Sequence, residues 1–285
     1  MVQLTVVAQA SEEHQHGSDC EGITVYSDYV ITGADDGKIK VWDSNLKLLR
    51  EVQAFDDSIQ RVVVSNDVVY ALSYRIIKAF EFESLAPKDL AIPPFKCDVR
   101  CLKADDEYLY VGNDEGYIYT YDLSGQKVGE RKLTEPVFDM YLTSGRIFSV
   151  RDRGITVSEP RKIGSDLIVL QTLRGSYPLA LWDNYLASAN QEETKNIVVY
   201  NKDSYKKICD IQGHDLIILC MCGWDSWLAS GSYDKKLKLW DMSNNGNLAA
   251  EVELPGFVMS TVTNGDGAYI YVGLKFGYVC KVKVT

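Results

Sequence analysis

Tyr29-Val-Ile-Thr-Gly-Ala-Asp-Asp-Gly-Lys-Ile-Lys-Val-Trp-Asp43 returns, with few changes, as Trp227-Leu-Ala-Ser-Gly-Ser-Tyr-Asp-Lys-Lys-Leu-Lys-Leu-Trp-Asp241. Each copy is two short apolar runs joined by a polar turn, the pattern of a hairpin. Along the second run Ile39 and Val41 alternate with Lys38 and Lys40, and Leu237 and Leu239 alternate with Lys236 and Lys238. A period of two implies strands with one buried and one solvated face, and helical spacing is not seen.

Weaker copies keep the same register. They are Leu109-Tyr-Val-Gly-Asn-Asp-Glu-Gly-Tyr-Ile-Tyr-Thr-Tyr-Asp122, Leu186-Ala-Ser-Ala leading through a longer turn to Ile197-Val-Val-Tyr-Asn201, and Ile270-Tyr-Val-Gly-Leu-Lys-Phe-Gly-Tyr-Val279. Two degenerate copies lie around Ala71 to Glu81 and Ile147 to Glu159. The positions equivalent to Trp42 are Phe80, Tyr121, Ser158, Tyr200, Trp240 and Val282. Seven copies of about 41 residues fill the chain, within the roughly 40 to 45 of a propeller blade.

Val41-Trp42-Asp43, Leu239-Trp240-Asp241 and the pair Gly213-His214 resemble the signatures of the WD-repeat family, and the resemblance covers essentially the whole chain. It implies an all-β, seven-bladed β-propeller of four-stranded antiparallel blades. It also implies hydrogen-bonded tetrads, which by spacing are His214, Ser230, Asp234 and Trp240, and His16, Thr32, Asp36 and Trp42. Elsewhere the pattern fails: Glu115 and Tyr121 replace Asp and Trp in the third blade, and the second, fourth and seventh blades lack both. Those blades must rely on packing.

The last repeat ends in a strand from Tyr278 to Val284 and lacks an outermost one, which the apolar stretch from Val2 to Gln9 can supply. Such closure removes exposed sheet edges. We therefore expect one domain over residues 1–285, with blades near 12–55, 56–96, 97–134, 135–175, 176–214, 215–256 and 257–285 plus 2–9.

The chain has 285 residues and a formal net charge of −10, which disfavours direct nucleic-acid binding and favours basic partner segments. No run of eighteen apolar residues and no charged-then-apolar leader occurs, so membrane insertion and secretion are not expected. Seven scattered cysteines, an odd number, suit buried thiols in the cytoplasm or nucleus. Only three histidines are present. His14, His16 and Cys20 have a loose metal-ligand look but lack a fourth ligand. The carboxylate pairs Asp35-Asp36, Asp56-Asp57, Asp105-Asp106 and Glu192-Glu193 fall at turns, where Asp bonds its own backbone. No glycine precedes a helix as a phosphate-binding loop requires. No cofactor, metal or catalytic residue is expected.

Function then lies in loops. The links entering each innermost strand carry Asp19, Asp56, Asp57, Asp98, Glu135 and Asp215, and the turns between second and third strands add Asp35, Asp114, Glu192 and Glu193. Few bases oppose them, although Arg75, Arg151, Arg153, Lys235 and Lys275 lie in the same turns. We expect Asp19, Asp56, Asp98, Glu135 and Asp215 to form an acidic ring at the channel mouth that accepts a Lys or Arg of a partner peptide. Tyr74, Tyr233, Phe257 and Phe276 are the aromatic contact candidates. The resemblance singles out Tyr233, which precedes the tetrad Asp. The leading expectation is a non-enzymatic scaffold or adaptor, monomeric on its own, that binds other proteins. The alternatives are a recognition subunit of a ubiquitin-ligase or chromatin complex, a trafficking-coat or cytoskeletal role, and, in another class, a catalytic propeller with a metal or cofactor in its channel.

Overall fold

Gly22–Tyr26, Tyr29–Gly33, Lys38–Trp42 and Leu48–Gln53 run up and down as one antiparallel sheet, the first blade. The computed structural model describes residues 2–143, 145–151, 153–160, 167–190 and 192–285. They form seven such four-stranded sheets, a seven-bladed β-propeller. The innermost strands of blades 2 to 7 are Arg61–Ser65, Val99–Ala104, Asp139–Thr143, Ser176–Trp182, Ile218–Trp224 and Val258–Thr263, and each neighbours the next around a central channel. Helical turns are limited, among the described residues, to the single 3-10 turns Met242–Asn244 and Lys275–Gly277.

One structural position recurs in every blade. Trp42 pairs with Val30, Phe80 with Val69, Tyr121 with Leu109, Ser158 with Ile147, Tyr200 with Leu186, Trp240 with Leu228, and Val282 with Ile270. The apolar clusters of the described residues lie between blades rather than within them. Ile31, Ile39 and Val41 of blade 1 pack with Ile59, Val62 and Val69 of blade 2, and the same sharing recurs at the other six seams.

This sharing corrects the expected solvated face. Lys40 is only 3 % exposed. Its amine donates to the carbonyl oxygens of His14 (2.7 Å) and Gln15 (3.1 Å) and pairs with Glu51 at 2.9 Å. A blade is covered on both sides by its neighbours, so alternation in the inner strands separates two interfaces instead of core from water.

Backbone hydrogen bonds stitch blade to blade at the end of the second strand. Ile59 N donates to Ala34 O, Val99 N to Tyr74 O, Val137 N to Asn113 O and Ile218 N to Thr194 O. Cys20 N donates to Leu274 O at 3.1 Å, so the seam between blades 7 and 1 carries the same bond. Glycine permits the close approach there. A Cβ on Gly273 would lie 2.7 Å from Cys20 O, and one on Gly231 would lie 2.3 Å from Val258 Cγ1. The outermost strand of blade 7 is Leu4–Gln9, antiparallel to Val279–Val284 with Leu4 opposite Val284 and Gln9 opposite Cys280.

In blade 1, Trp42 Nε1 donates to Thr32 Oγ1 (2.9 Å), which lies 2.7 Å from His16 Nε2, and His16 Nδ1 lies 3.1 Å from both Asp36 oxygens. In blade 6, Trp240 Nε1 donates to Ser230 Oγ (2.8 Å), and His214 lies 2.8 Å from both Ser230 Oγ and Asp234 Oδ2. Each chain closes with one tautomer: the hydroxyl donates to Nε2 and Nδ1–H donates to the carboxylate. Burial, the largest influence, holds both imidazoles below the ordinary 6.5 and therefore neutral. Burial also opposes the Asp36 charge, yet donation from His16, Gly17 N and Lys38 N outweighs it and holds that carboxyl at about 2.

Three outcomes are expected. Deleting residues 2–9 reopens the ring and lowers the melting temperature by about 10 °C or more; an unchanged melt contradicts closure. Ser230→Ala leaves the Trp240 N–H and His214 Nε2 buried and unpaired, costing on the order of 3 kcal/mol in denaturant unfolding; a loss below about 0.5 kcal/mol refutes that role. All four tetrad His and Asp groups are held below their ordinary pKa values in the folded chain, so the unfolded chain binds more protons as pH falls. Stability is full above 6.5, declines as pH drops through that value, and declines again below 3.8 toward 2. Melting measured from pH 8 to 3 checks this, and a flat profile contradicts it.

Candidate interaction surface

Two loops per blade build one rim of the ring, and a recurring hydrogen bond fixes one on the other. Asp35 N donates to Asp19 O, Asp114 N to Asp98 O, Tyr233 N to Ile217 O and Lys275 N to Phe257 O, at 2.9 to 3.1 Å. The entering link and the turn between the second and third strands are thereby held side by side.

The structure brings three of the four aromatic candidates together across blades 6 and 7. The rings of Tyr233 and Phe257 meet edge to face with centroids 5.0 Å apart. The Lys275 amine lies 5.3 Å from the centroid of Phe257 and 5.6 Å from that of Phe276. Phe276 is 62 % exposed, and its N–H donates to Asp19 Oδ1 at 3.0 Å, which joins the cluster to blade 1. Tyr233 is half-buried, so Phe276 rather than Tyr233 presents the larger free surface. Two residues that the sequence reading passed over complete the patch: Leu216 (51 % exposed) and Ile217 (49 %), in the link beside Tyr233. Their signal was an apolar pair directly after the polar link residue Asp215.

The expected acidic ring is corrected. Asp98 pairs with Arg75 at 2.7 Å, Glu135 with Arg151, and Asp19 with Lys275 at 3.8 Å. The basic turn residues reach a link of their own or the following blade and neutralise it. Asp114 is likewise engaged by Arg100, and Asp35 receives the Ser58 hydroxyl. Asp56 and Asp215 are exposed and make no ion pair among the described residues, as does Asp57.

Tyr74, 40 % exposed, stands apart from the other aromatics over the channel mouth. There a cavity of about 530 Å³ is lined by Glu21, Asp35, Arg61, Tyr74, Arg100 and Tyr177 among others. Arg61 donates to Gln60 O (2.7 Å) and Tyr177 Oη (3.0 Å). Glu21 has no hydrogen-bonded partner among the described residues, and burial pushes its carboxyl above the usual value. It was missed because it is the last residue of the link, directly before the strand that begins at Gly22, where an acid reads as part of the strand boundary. Deeper in the channel Lys103 pairs with Asp139 at 3.1 Å. His16 has both ring nitrogens engaged by Asp36 and Thr32, which removes it from any metal site with His14 and Cys20.

A model of the WD40 family, described as WD domain, G-beta repeat, matches residues 13–43 and 205–241, the stretches that hold the two tetrads. Among curated proteins, the nuclear distribution protein PAC1 of Candida dubliniensis is 23 % identical over 247 residues, covering 76 % of this chain and 50 % of that protein. Its namesake in Candida albicans is 24 % identical over 246 residues, covering 75 % and 50 %. This chain spans about half the length of the curated relatives it matches. Among solved structures, the WD40 β-propeller domain of Doa1 superposes with a TM-score of 0.81 at 15 % identity, covering 98 % of this chain and 97 % of that one. The computationally designed Ika8 protein gives 0.77 at 16 % identity, covering 98 % and 99 %. Two full tetrads lie in the two matched stretches, so residues 13–43 and 205–241 are WD repeats within a seven-bladed β-propeller.

Proposed function

We propose that the chain is a non-enzymatic scaffold that binds other proteins on the rim, anchored by Leu216, Ile217, Tyr233, Phe257 and Phe276. The exposure of this cluster carries the reading. Apolar side chains grouped in water gain nothing for the free chain, whereas aromatic anchors at the centre of an interface supply much of its affinity. Exposed Asp56, Asp57 and Asp215, together with the net charge of −10, favour a basic partner. A Lys or Arg of that partner enters the mouth beside Glu21 and Asp35, with Tyr74 and Tyr177 against its alkyl stem. The two buried histidines are bonded on both nitrogens and supply no base for catalysis. The site of action is the cytoplasm or the nucleus, and the nuclear-distribution relatives suggest where to look for partners first.

Proteins co-purifying from a soluble extract with the wild type are compared with those of Leu216→Ser/Phe276→Ala and of Glu21→Gln/Asp56→Lys, all checked for equal melting. The first variant is expected to lose specific partners by about thirtyfold or more, as loss of a hot-spot side chain does. The second loses those whose contact is a basic residue. Partners retained at wild-type levels by both variants refute the rim as the working surface.

A further inference from the structure

On the opposite face, where the turns between first and second strands lie, a groove of about 540 Å³ opens at the seam of blades 3 and 4. Its floor is the pairing of two strands, Tyr117–Asp122 and Lys127–Lys132, in which Thr120 sits opposite Gly129. The bare glycine leaves a notch beside the Thr120 side chain. A Cβ there would lie 3.7 Å from Thr120 Oγ1 and 3.8 Å from Arg131 Nη1, so hydroxyl and guanidinium both border the notch. Thr120 is only 7 % exposed, yet its Oγ1 has no hydrogen-bond partner among the described residues. Such an orphan is costly unless something occupies the notch.

The charges of the groove are donors. Arg131 makes no ion pair or hydrogen bond among the described residues, whereas Arg146 on the blade 4 wall pairs with Asp203 at 3.9 Å and lies 5.7 Å from the Tyr205 ring centroid. Asp105, the carboxylate in the lining, already accepts from Glu107 N, Tyr108 N and the Tyr110 hydroxyl. Apolar walls come from Leu142, Ile147 and Val128, and Val128, left out of the ladder by a bulge, is 55 % exposed.

We infer that this groove binds an extended acidic segment of a partner protein, with an Asp or Glu carboxylate over Gly129 between Thr120 and Arg131 and an apolar neighbour against Val128 and Leu142. The guanidinium of Arg131, unpaired among the described residues, matches a monoanion in charge, and its planar fork suits a carboxylate. The segment lies on the face away from the rim and is independent of what the rim binds.

The test is a nuclear magnetic resonance titration of the full chain, observing the Arg131 Nε–H signal, assigned by its absence in Arg131→Lys. Acetyl-Val-Glu-Leu-amide is expected to shift it saturably at roughly millimolar concentration. Its Gln counterpart leaves it unmoved. Gly129→Ala fills the notch at ordinary contact distances, so it should melt like the wild type while weakening the Glu peptide at least tenfold. The Leu216→Ser/Phe276→Ala variant keeps the response, because the two sites are separate. No saturable shift, an equal shift with the Gln peptide, or tighter saturation by inorganic phosphate each overturns the assignment.

Discussion

No blade of this protein owns a core. Each apolar cluster is assembled from the facing sides of two neighbours, as with Ala229 and Leu239 of blade 6 against Val258 and Val272 of blade 7. A sheet that is apolar on both faces needs cover on both, and a row of such sheets always leaves two uncovered ends. Only a ring satisfies all of them. The bond from Cys20 N to Leu274 O and the strand Leu4–Gln9 therefore matter beyond their number: they make the first and last blades neighbours. The burial of Lys40, its amine turned onto two carbonyl oxygens, follows from the same constraint.

What was legible in the sequence is what the ring repeats. Spacing from Trp42 to Val282 located the same pairing position in all seven blades, even where the residue is Ser158 or Val282, because register is set by strand and turn lengths and not by the identity of one side chain. The charge pattern was less legible. Runs of Asp in the links suggested a free acidic ring, but Arg75, Arg151 and Lys275 lie 16 to 256 positions away from their acids and meet them only after folding. Pairing of that range leaves no periodic trace. Leu216 and Ile217 were hidden for a different reason. An apolar pair leading into a strand reads as its beginning, and only the turn of blade 6 shows that they stop short of the core.

The seam between blades 3 and 4 has the smallest of the shared clusters, built on Cys101, Ile118, Leu133, Val137, Met140 and Ile147. On the side facing blade 4, Thr120 stands where blades 1 and 6 have Val41 and Leu239, while Tyr119, which stacks on Tyr117 at 5.5 Å, and Tyr121 pack on the other side with blade 2. A threonine opposite a bare Gly129 fills less of this seam than the aliphatic residues of blades 1 and 6, and space is left at the surface. The groove over Gly129 opens there, and not at the seam of blades 6 and 7, which carries the largest cluster among the described residues.

Rim and groove lie on opposite faces, separated by the length of the strands, about 17 to 20 Å for five or six residues. At physiological ionic strength charges are screened over about 8 Å, so the carboxylates of the rim and the arginines of the groove do not compete for one ligand or cancel each other's field in solution. Among the described residues, backbone hydrogen bonds join blade to blade at five of the seven seams and hold the two faces at a fixed separation. Opposite local charge on a rigid ring, with an excess of acid overall, is an arrangement that allows two partners of different character to be held at once without mutual interference. Any coupling between them would have to come from contact between the partners themselves.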